Sequence, residues 1–555
     1  MLYMNRKFRS TLFALLTMLF LITAPTTILY YMGWRFDWPT KTITQTGIFY
    51  FKVSPRESKI YIDHEFKKKT GFFFNSALIE NLTPKEYFVE IEKQGFYKWE
   101  KFLEIKKRQV TEIKNITLIP ENPNFTIISE KIENFYPAPD NKKIILQETY
   151  YIVENTENLE NSEELILSGN ENPAGVKKWS LKLFDLGKDL KSKLIDEDDI
   201  IAEIKKLDKN PSSYKENNNL QIELINLTIS SDSKRILIEI KEINTEIANN
   251  ESQYLTLDLN KAPDSLELIP VSQKEESAKI ENVYFSPENI DKFLILSSCG
   301  AEGQDKTKEL QELDMRNGKT YLSVLDNIVY VSVIGKDIYY IDKSGFVFKN
   351  NFSFDRAEKL NFRPFYLNPE SKYEIYERNS NIFLRENNSL YLFDQDKKVF
   401  GEFFESVQNL KFAIDSKKMV YCDDYEARVF FLEKIYDQPT RNKYENIFLT
   451  NFSEKISDIF WYTDHYLLFL VGDTIKIVEI DDRDKVNIVD LIELEQLNSF
   501  QDTRTAKEIE NQEIPDKEKP MLTEEAGSKI FWNQDNKKLY ILFENNVYAS
   551  EELIR

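Results

Sequence analysis

Histidine and cysteine are almost missing from this chain: His64, His465, Cys299 and Cys422 are all it has in 555 residues. That scarcity excludes a Cys/His zinc site of ordinary spacing, a disulfide framework, and more than one histidine-based acid/base arrangement. Glycine and proline are also sparse, 15 and 18 residues, which excludes a collagen-like or linker-dominated chain. No Gly-x-Ser-x-Gly elbow, Walker loop or dinucleotide fingerprint occurs. Basic residues are outnumbered, 73 Lys and Arg against 93 Asp and Glu for a net charge of −20, which argues against nucleic acid as a partner. No catalytic residue, cofactor site or metal site is therefore assigned.

What the chain does have is apolar and aromatic. With 41% hydrophobic residues, 29 Tyr and 39 Phe, it has ample material for packed cores, and strand positions are expected to absorb most of the aromatics. Residues 10–34 carry no charge, and Leu12–Tyr31 is apolar enough to cross a bilayer at 1.5 Å per residue. Arg6, Lys7 and Arg9 precede this run, and Tyr30, Tyr31, Trp34 and Trp38 mark its end. That pattern predicts a transmembrane anchor over 12–34, a cytoplasmic N-terminus over 1–11, and an extracytoplasmic remainder in a single-pass cell-membrane protein. A cleaved signal peptide and a buried core helix are the alternatives; the apolar run continuing past Ala24-Pro25 favours the anchor.

From residue 47 the pattern changes to period two. Strands are expected at 47–53, 59–62, 87–91 and 111–118, with turns at Ser54-Pro55, Asp63-His64, Thr83-Pro84 and Gln94-Gly95, making a small antiparallel β domain over 47–119. The series Val53-Ser54-Pro55, Ile60-Tyr61-Ile62-Asp63, Asn81-Leu82, Pro84-Lys85-Glu86-Tyr87, Lys93-Gln94-Gly95-Phe96 and Val110–Leu118 resembles a PEGA domain, a small all-β sandwich module of bacterial and archaeal surface proteins. Pro55-Arg56-Glu57-Ser58 stands for the namesake tetrapeptide, and His64 and Lys85 stand where that family usually has Gly. The resemblance implies an envelope-facing adhesive or spacer module.

Residues 120–555 repeat a unit: an aromatic-rich strand, an acidic turn followed by lysines, and a second apolar strand. Clear copies turn at Asp140, Asp232, Glu288, Asp415, Asp464 and Asp535. Two weaker copies, Val329–Phe348 and Phe365–Phe393 with a turn at Asn368–Lys372, fill the gap between Glu288 and Asp415. An Asp or Asn side chain caps its own backbone two residues on, and the lysines keep the tip solvated. These copies resemble the TolB-type, WD40-like repeat, nearest at Ser286-Pro287-Glu288 and Ala138-Pro139-Asp140, which implies a seven- or eight-bladed β-propeller. Polar stretches at 154–178, 208–219, 298–318 and 501–528 read as exposed loops, and Leu190, Leu194, Ile200, Ile201, Ile204 and Leu207 predict a short amphipathic helix within 189–207.

His64 and His465 read as turn residues at positive φ. Cys422 reads as a buried, unpaired thiol in a strand; a pairing with Cys299 would need their Cα atoms within about 7 Å. The clusters Asp196–Asp199 and Asp481–Asp484 lack the spacing of a calcium loop and read as solvated charge. Two functions follow as expectations. The first is a non-enzymatic, membrane-anchored envelope protein whose propeller binds or scaffolds an extracellular protein or polysaccharide. The second is an extracytoplasmic hydrolase or lyase with carboxylates converging at the propeller mouth.

Overall fold

A computed structural model describes residues 6–37, 41–152, 176–207, 221–243, 252–270, 279–286, 289, 291–299, 307–316, 320–352, 354, 356–500 and 527–554. The expected loops over 154–175, 208–219 and 501–526, and the Pro287-Glu288 turn, lie outside the described residues. The first element is the apolar helix α1 (Arg6–Tyr31), all of whose residues are unburied against the rest of the chain. A two-stranded hairpin, β1 (Trp34–Asp37) and β2 (Thr42–Gln45), follows, with the Arg35 guanidinium 3.5 Å above the Tyr30 ring.

The small domain is a sandwich of two sheets. One has the order β6-β3-β9 (Ser76–Leu82, Gly47–Ser54, Val110–Thr117) and the other β5-β4-β7-β8 (Glu65–Lys69, Lys59–Ile62, Glu86–Glu92, Trp99–Glu104). Period-two alternation drives the packing: Phe49, Phe51 and Val53 of β3 face Ile60, Ile62, Val89, Ile91 and Trp99 in one buried core. The domain is not wholly antiparallel as expected, because β3 and β9 run parallel, with Phe51 opposite Ile113. Asp63 and His64 form the two-residue turn between β4 and β5, both at positive φ (50° and 64°).

The repeat region is a succession of antiparallel four-stranded meanders. In chain order β10 is Phe125–Ser129, and β11 to β14 are Ile132–Pro137, Lys143–Ile152, Val176–Asp185 and Leu190–Asp196. Helix α2 (Glu197–Leu207) leads on to β15 to β18: Ile222–Ile229, Arg235–Glu242, Gln253–Asp258 and Glu267–Leu268. A seven-stranded sheet, β19 to β25, contains Lys279–Phe285, Lys292–Cys299, Thr307–Asp314, Thr320–Ile334, Asp337–Asp342, Val347–Asn351 and Glu358–Lys359. Its long strand β22 pairs with β21 through its first half and with β23 through its second, so one strand serves two meanders. Sheet β26 to β29 contains Tyr373–Arg378, Asn381–Glu386, Ser389–Asp394 and Val399–Phe404; β30 to β33 are Asn409–Phe412, Lys418–Cys422, Glu426–Phe431 and Asn446–Asn451. Sheet β34 to β37 contains Ile456–Thr463, Tyr466–Val471, Thr474–Glu479 and Ile488–Glu493. The last sheet joins β38 (Lys529–Asn533), β39 (Lys538–Phe543) and β40 (Asn546–Ser550) to β10, the first strand of the region.

Counting β22 twice, the described residues form eight four-stranded units, an all-β architecture of the propeller class, preceded by one apolar helix. The chain divides into two compact units: residues 1–124, 409–496 and 550–555, and residues 125–408 and 497–549. Within each, apolar cores lie between successive sheets; Val420, Val429 and Phe431 of one pack with Ile459, Leu467 and Phe469 of the next.

The acidic turns behave as the repeat implies. Asp140, Asp232 and Asp415 each accept from the backbone N–H two residues on, and Asn141, Ser233 and Ser416 take the positive φ that a Gly would otherwise supply. Turns of neighbouring sheets also touch: Asp140 N–H donates to Ser233 Oγ and Asp415 N–H to Asp464 Oδ1. Gly345, at φ +82°, closes the β23–β24 hairpin, and a Cβ there would lie 2.0 Å from the Phe365 carbonyl oxygen. Gly345→Ala is expected to cost about 1–3 kcal/mol in backbone strain alone, visible as a lowered Tm.

Several expectations are corrected. Residues 307–314 of the supposed loop form β21, which buries Leu310 and Leu313, and 176–178 open β13. The 189–207 stretch is half strand and half helix. Its cluster Asp196–Asp199 caps α2, because Asp196 Oδ1 accepts from Asp199 N–H and Asp199 Oδ2 from Asp196 N–H, each at 3.0 Å. Asn368–Lys372 precedes β26; the turn joining β26 to β27 is Asn379-Ser380.

Candidate functional site

A dense polar constellation lies where the small domain meets sheets β30–β33 and β34–β37, all within the first compact unit. Lys101 on β8 is fully buried, and its Nζ lies 3.2 Å from Glu479 Oε2 and 4.0 Å from Asp481 Oδ1 while donating to the Asp481 carbonyl. Glu479, also buried, accepts from Trp99 Nε1 at 3.2 Å and from Asn487 Nδ2 at 2.9 Å. Burial raises the Glu479 pKa, with Lys101 acting against it. Burial also pushes on Asp481, but Arg483 and Lys101 hold its carboxyl below the usual range. Arg483 reaches on to the Glu112 carbonyl at 3.0 Å, and Asp484 Oδ2 accepts from Phe102 N–H at 2.9 Å. The Asp481–Asp484 cluster, expected to be solvated charge, is therefore the docking face for the small domain.

A second line of contacts uses the edge of β9. Gln438 accepts from Glu112 N–H and donates to the Val110 carbonyl, each at 3.0 Å, so one side-chain amide pairs with the strand as a neighbouring strand would. Thr117 N–H donates to the buried Tyr466 hydroxyl at 3.2 Å.

Beside this seam is a cleft of about 300 Å³, lined by Lys52, Asn75, Asn115, Thr463, Asp464 and His465 among others. His465 sits in the β34–β35 turn without the positive φ expected of it. Partial burial, with Lys418 nearby, holds its imidazole below the ordinary 6.5. Between that lowered pKa and 6.5 the unfolded chain takes up a proton that the folded chain does not, so stability falls as pH drops through this window. His465→Gln is expected to flatten that slope in urea midpoints taken from pH 7 to pH 5; parallel slopes for the two proteins would refute the assignment.

The remaining candidates resolve into packing roles. His64 Nδ1 lies 2.8 Å from Glu90, a buried carboxylate that Lys98 also contacts. Cys422 is free and buried, its thiol pushed up to about 12 by desolvation; the Cys299 side chain lies outside the described residues. Glu197, whose pKa burial raises, accepts from Ile222 N–H at 3.0 Å at the start of α2. Among the described residues no three His, Cys, Asp or Glu side chains gather as a metal site would require.

No protein-family model matches the sequence, and no curated protein matches it. Solved β-propeller structures are similar in fold. Dihydro-heme d1 dehydrogenase NirN aligns over 65% of this chain and 66% of its own at 12% identity and a TM-score of 0.37. Hsv2 of Kluyveromyces marxianus aligns over 65% and 98% at 11% and 0.33. YCF48 of Cyanidioschyzon merolae aligns over 60% and 97% at 10% and 0.32. At these values the fold assignment rests on the sheets themselves.

Proposed function

We propose that this protein is a non-enzymatic binding or scaffolding platform held at a cell membrane by α1, with a PEGA-like domain as the mount for a WD40-like propeller. The observation that carries this reading is the seam: the domain that follows the apolar helix is joined to two repeat sheets by buried, mutually satisfied charges. A flexible stalk would not bury Lys101 and Glu479; a rigid mount has reason to. Arg6, Lys7 and Arg9 in the first turn of α1, ahead of its uncharged run, support a cytoplasmic N-terminus with the bulk of the chain outside. Among the described residues, the carboxylates with raised pKa support the non-enzymatic reading: Asp199 caps α2, Glu479 holds the seam, and Glu197 accepts from Ile222 N–H of β15.

The test presents the full chain in lipid nanodiscs to envelope polysaccharides and extracytoplasmic proteins, with turnover assayed in parallel. Retention of a partner without turnover supports a platform. Release of a cleaved product would overturn it.

A further inference from the structure

The small domain carries one surface that its own packing leaves unexplained. Phe72, Phe73 and Phe74 are 55%, 86% and 81% exposed, consecutive in a tight turn between β5 and β6. The neck of that turn is closed, because Asn75 N–H donates to the Gly71 carbonyl and Gly71 N–H to the Ser76 carbonyl, so the rings project as a defined tip. Three neighbouring phenylalanines in water are a large unfavourable exposure, of the kind that marks an interaction surface. The adjoining strand β5 is exposed along its whole length and presents Lys67, paired with Glu65 at 2.6 Å, Lys68, donating to the Leu78 carbonyl at 3.3 Å, and Lys69, and the Arg56 guanidinium lies 4.9 Å from the Phe72 ring. A cationic edge beside an aromatic tip stands out in a chain of net charge −20.

We infer that this tip and its lysine edge dock on the anionic surface of the bilayer that α1 spans. The inference rests on the anchor reading above. Phenylalanines flanked by lysines suit the boundary between headgroups and acyl chains, where the rings enter hydrocarbon and the ammonium groups stay among lipid phosphates. A protruding tip also suits a fluid surface, which needs no pocket shaped to receive it. The tether supplies the effective concentration, since Gly47 follows Tyr31 closely in sequence. The geometry adds a constraint. The hairpin after α1 is bonded to Asn81 near the far end of β6 (Arg35 Nη2 to Asn81 Oδ1, 2.6 Å), whereas the tip precedes Ser76 at the near end. At about 3.3 Å per residue the two points are about 17 Å apart, so both reach the bilayer only if β6 lies along its plane.

The test reconstitutes the full chain into liposomes of phosphatidylcholine with and without phosphatidylglycerol. A Phe73→Cys variant carries an environment-sensitive fluorophore in a Cys299→Ser, Cys422→Ala background, and the unmodified chain is followed by hydrogen exchange over residues 71–76. The expected result is a protein that floats with the liposomes, a blue-shifted probe quenched by brominated lipid, and slowed exchange at the tip. Neutralising Lys68 and Lys69 to Gln should lower the docked-to-undocked ratio about fivefold per lysine on anionic liposomes. A floating protein with a water-like, unquenched probe and unchanged exchange would overturn the docking and leave the anchor standing. Failure to float would overturn both. A probe that becomes apolar with rising protein concentration and no lipid would assign the tip to a second copy of this chain instead.

Discussion

Lys101→Met is expected to destabilise the first compact unit by about 3–5 kcal/mol, because it strands Glu479 and leaves Asp481 without one of its two cations in a buried site. Urea unfolding followed by tryptophan fluorescence would show the lower midpoint, and hydrogen exchange over Trp99–Glu104 and Thr474–Glu479 would locate it at the seam. The same change made together with Glu479→Gln should recover most of the loss, since the amide removes the unpaired charge while its oxygen still accepts from Trp99 Nε1 and Asn487 Nδ2. A single variant as stable as the parent would show that the ion cluster does not hold the mount, and the case for a rigid platform would go with it.

Ending the chain at Phe543 is expected to abolish cooperative folding of the second unit. The deletion is short, but β40 is an inner strand, placed between β10 and β39. Its removal exposes two rows of backbone donors and acceptors and takes away Val547 and Tyr548, both fully buried. Each of those side chains contributes about 1.5–3 kcal/mol by burial. Limited proteolysis should cut the shortened chain within β10 and β39 under conditions that leave the parent intact. Val547→Asp, which keeps the backbone and buries an unpaired charge, should move the melting transition the same way. A truncated chain with the parental protease pattern would mean that the sheet does not depend on its C-terminal strand.

Much of this architecture was legible locally. Alternation of large apolar residues marks β3 and β7, where one face is buried, and unbroken apolar runs mark β31 and β35, where both faces are. The acidic turns were legible because an Asp side chain bonds to the backbone two residues on whatever the chain does elsewhere. Apolarity without charge marked α1 for the same reason: the property belongs to the segment. Other strands gave no such signal. Strand β5, Glu-Phe-Lys-Lys-Lys, is exposed throughout and has no buried face to alternate against. In β21, Leu310 and Leu313 are spaced like a helix stripe among polar residues, and only pairing with β20 and β22 makes it a strand.

The seam was invisible for a deeper reason. Trp99 and Glu479, which meet in it, are 380 positions apart. Read one at a time, Lys101, Glu479 and the Asp481–Asp484 run have the composition of solvated surface, and nothing local says that they desolvate one another. The reverse holds for Phe72–Phe74, whose composition is that of core but which the fold leaves outside. The sequence by itself determined the apolar helix, four of the seven sandwich strands (β3, β4, β7 and β9) and the repeat, because hydrophobic period and turn chemistry act over a few residues. Only the tertiary structure decided which charges are buried, which aromatics are exposed, and that β10 and β40 share a sheet, because burial and strand pairing depend on residues hundreds of positions away.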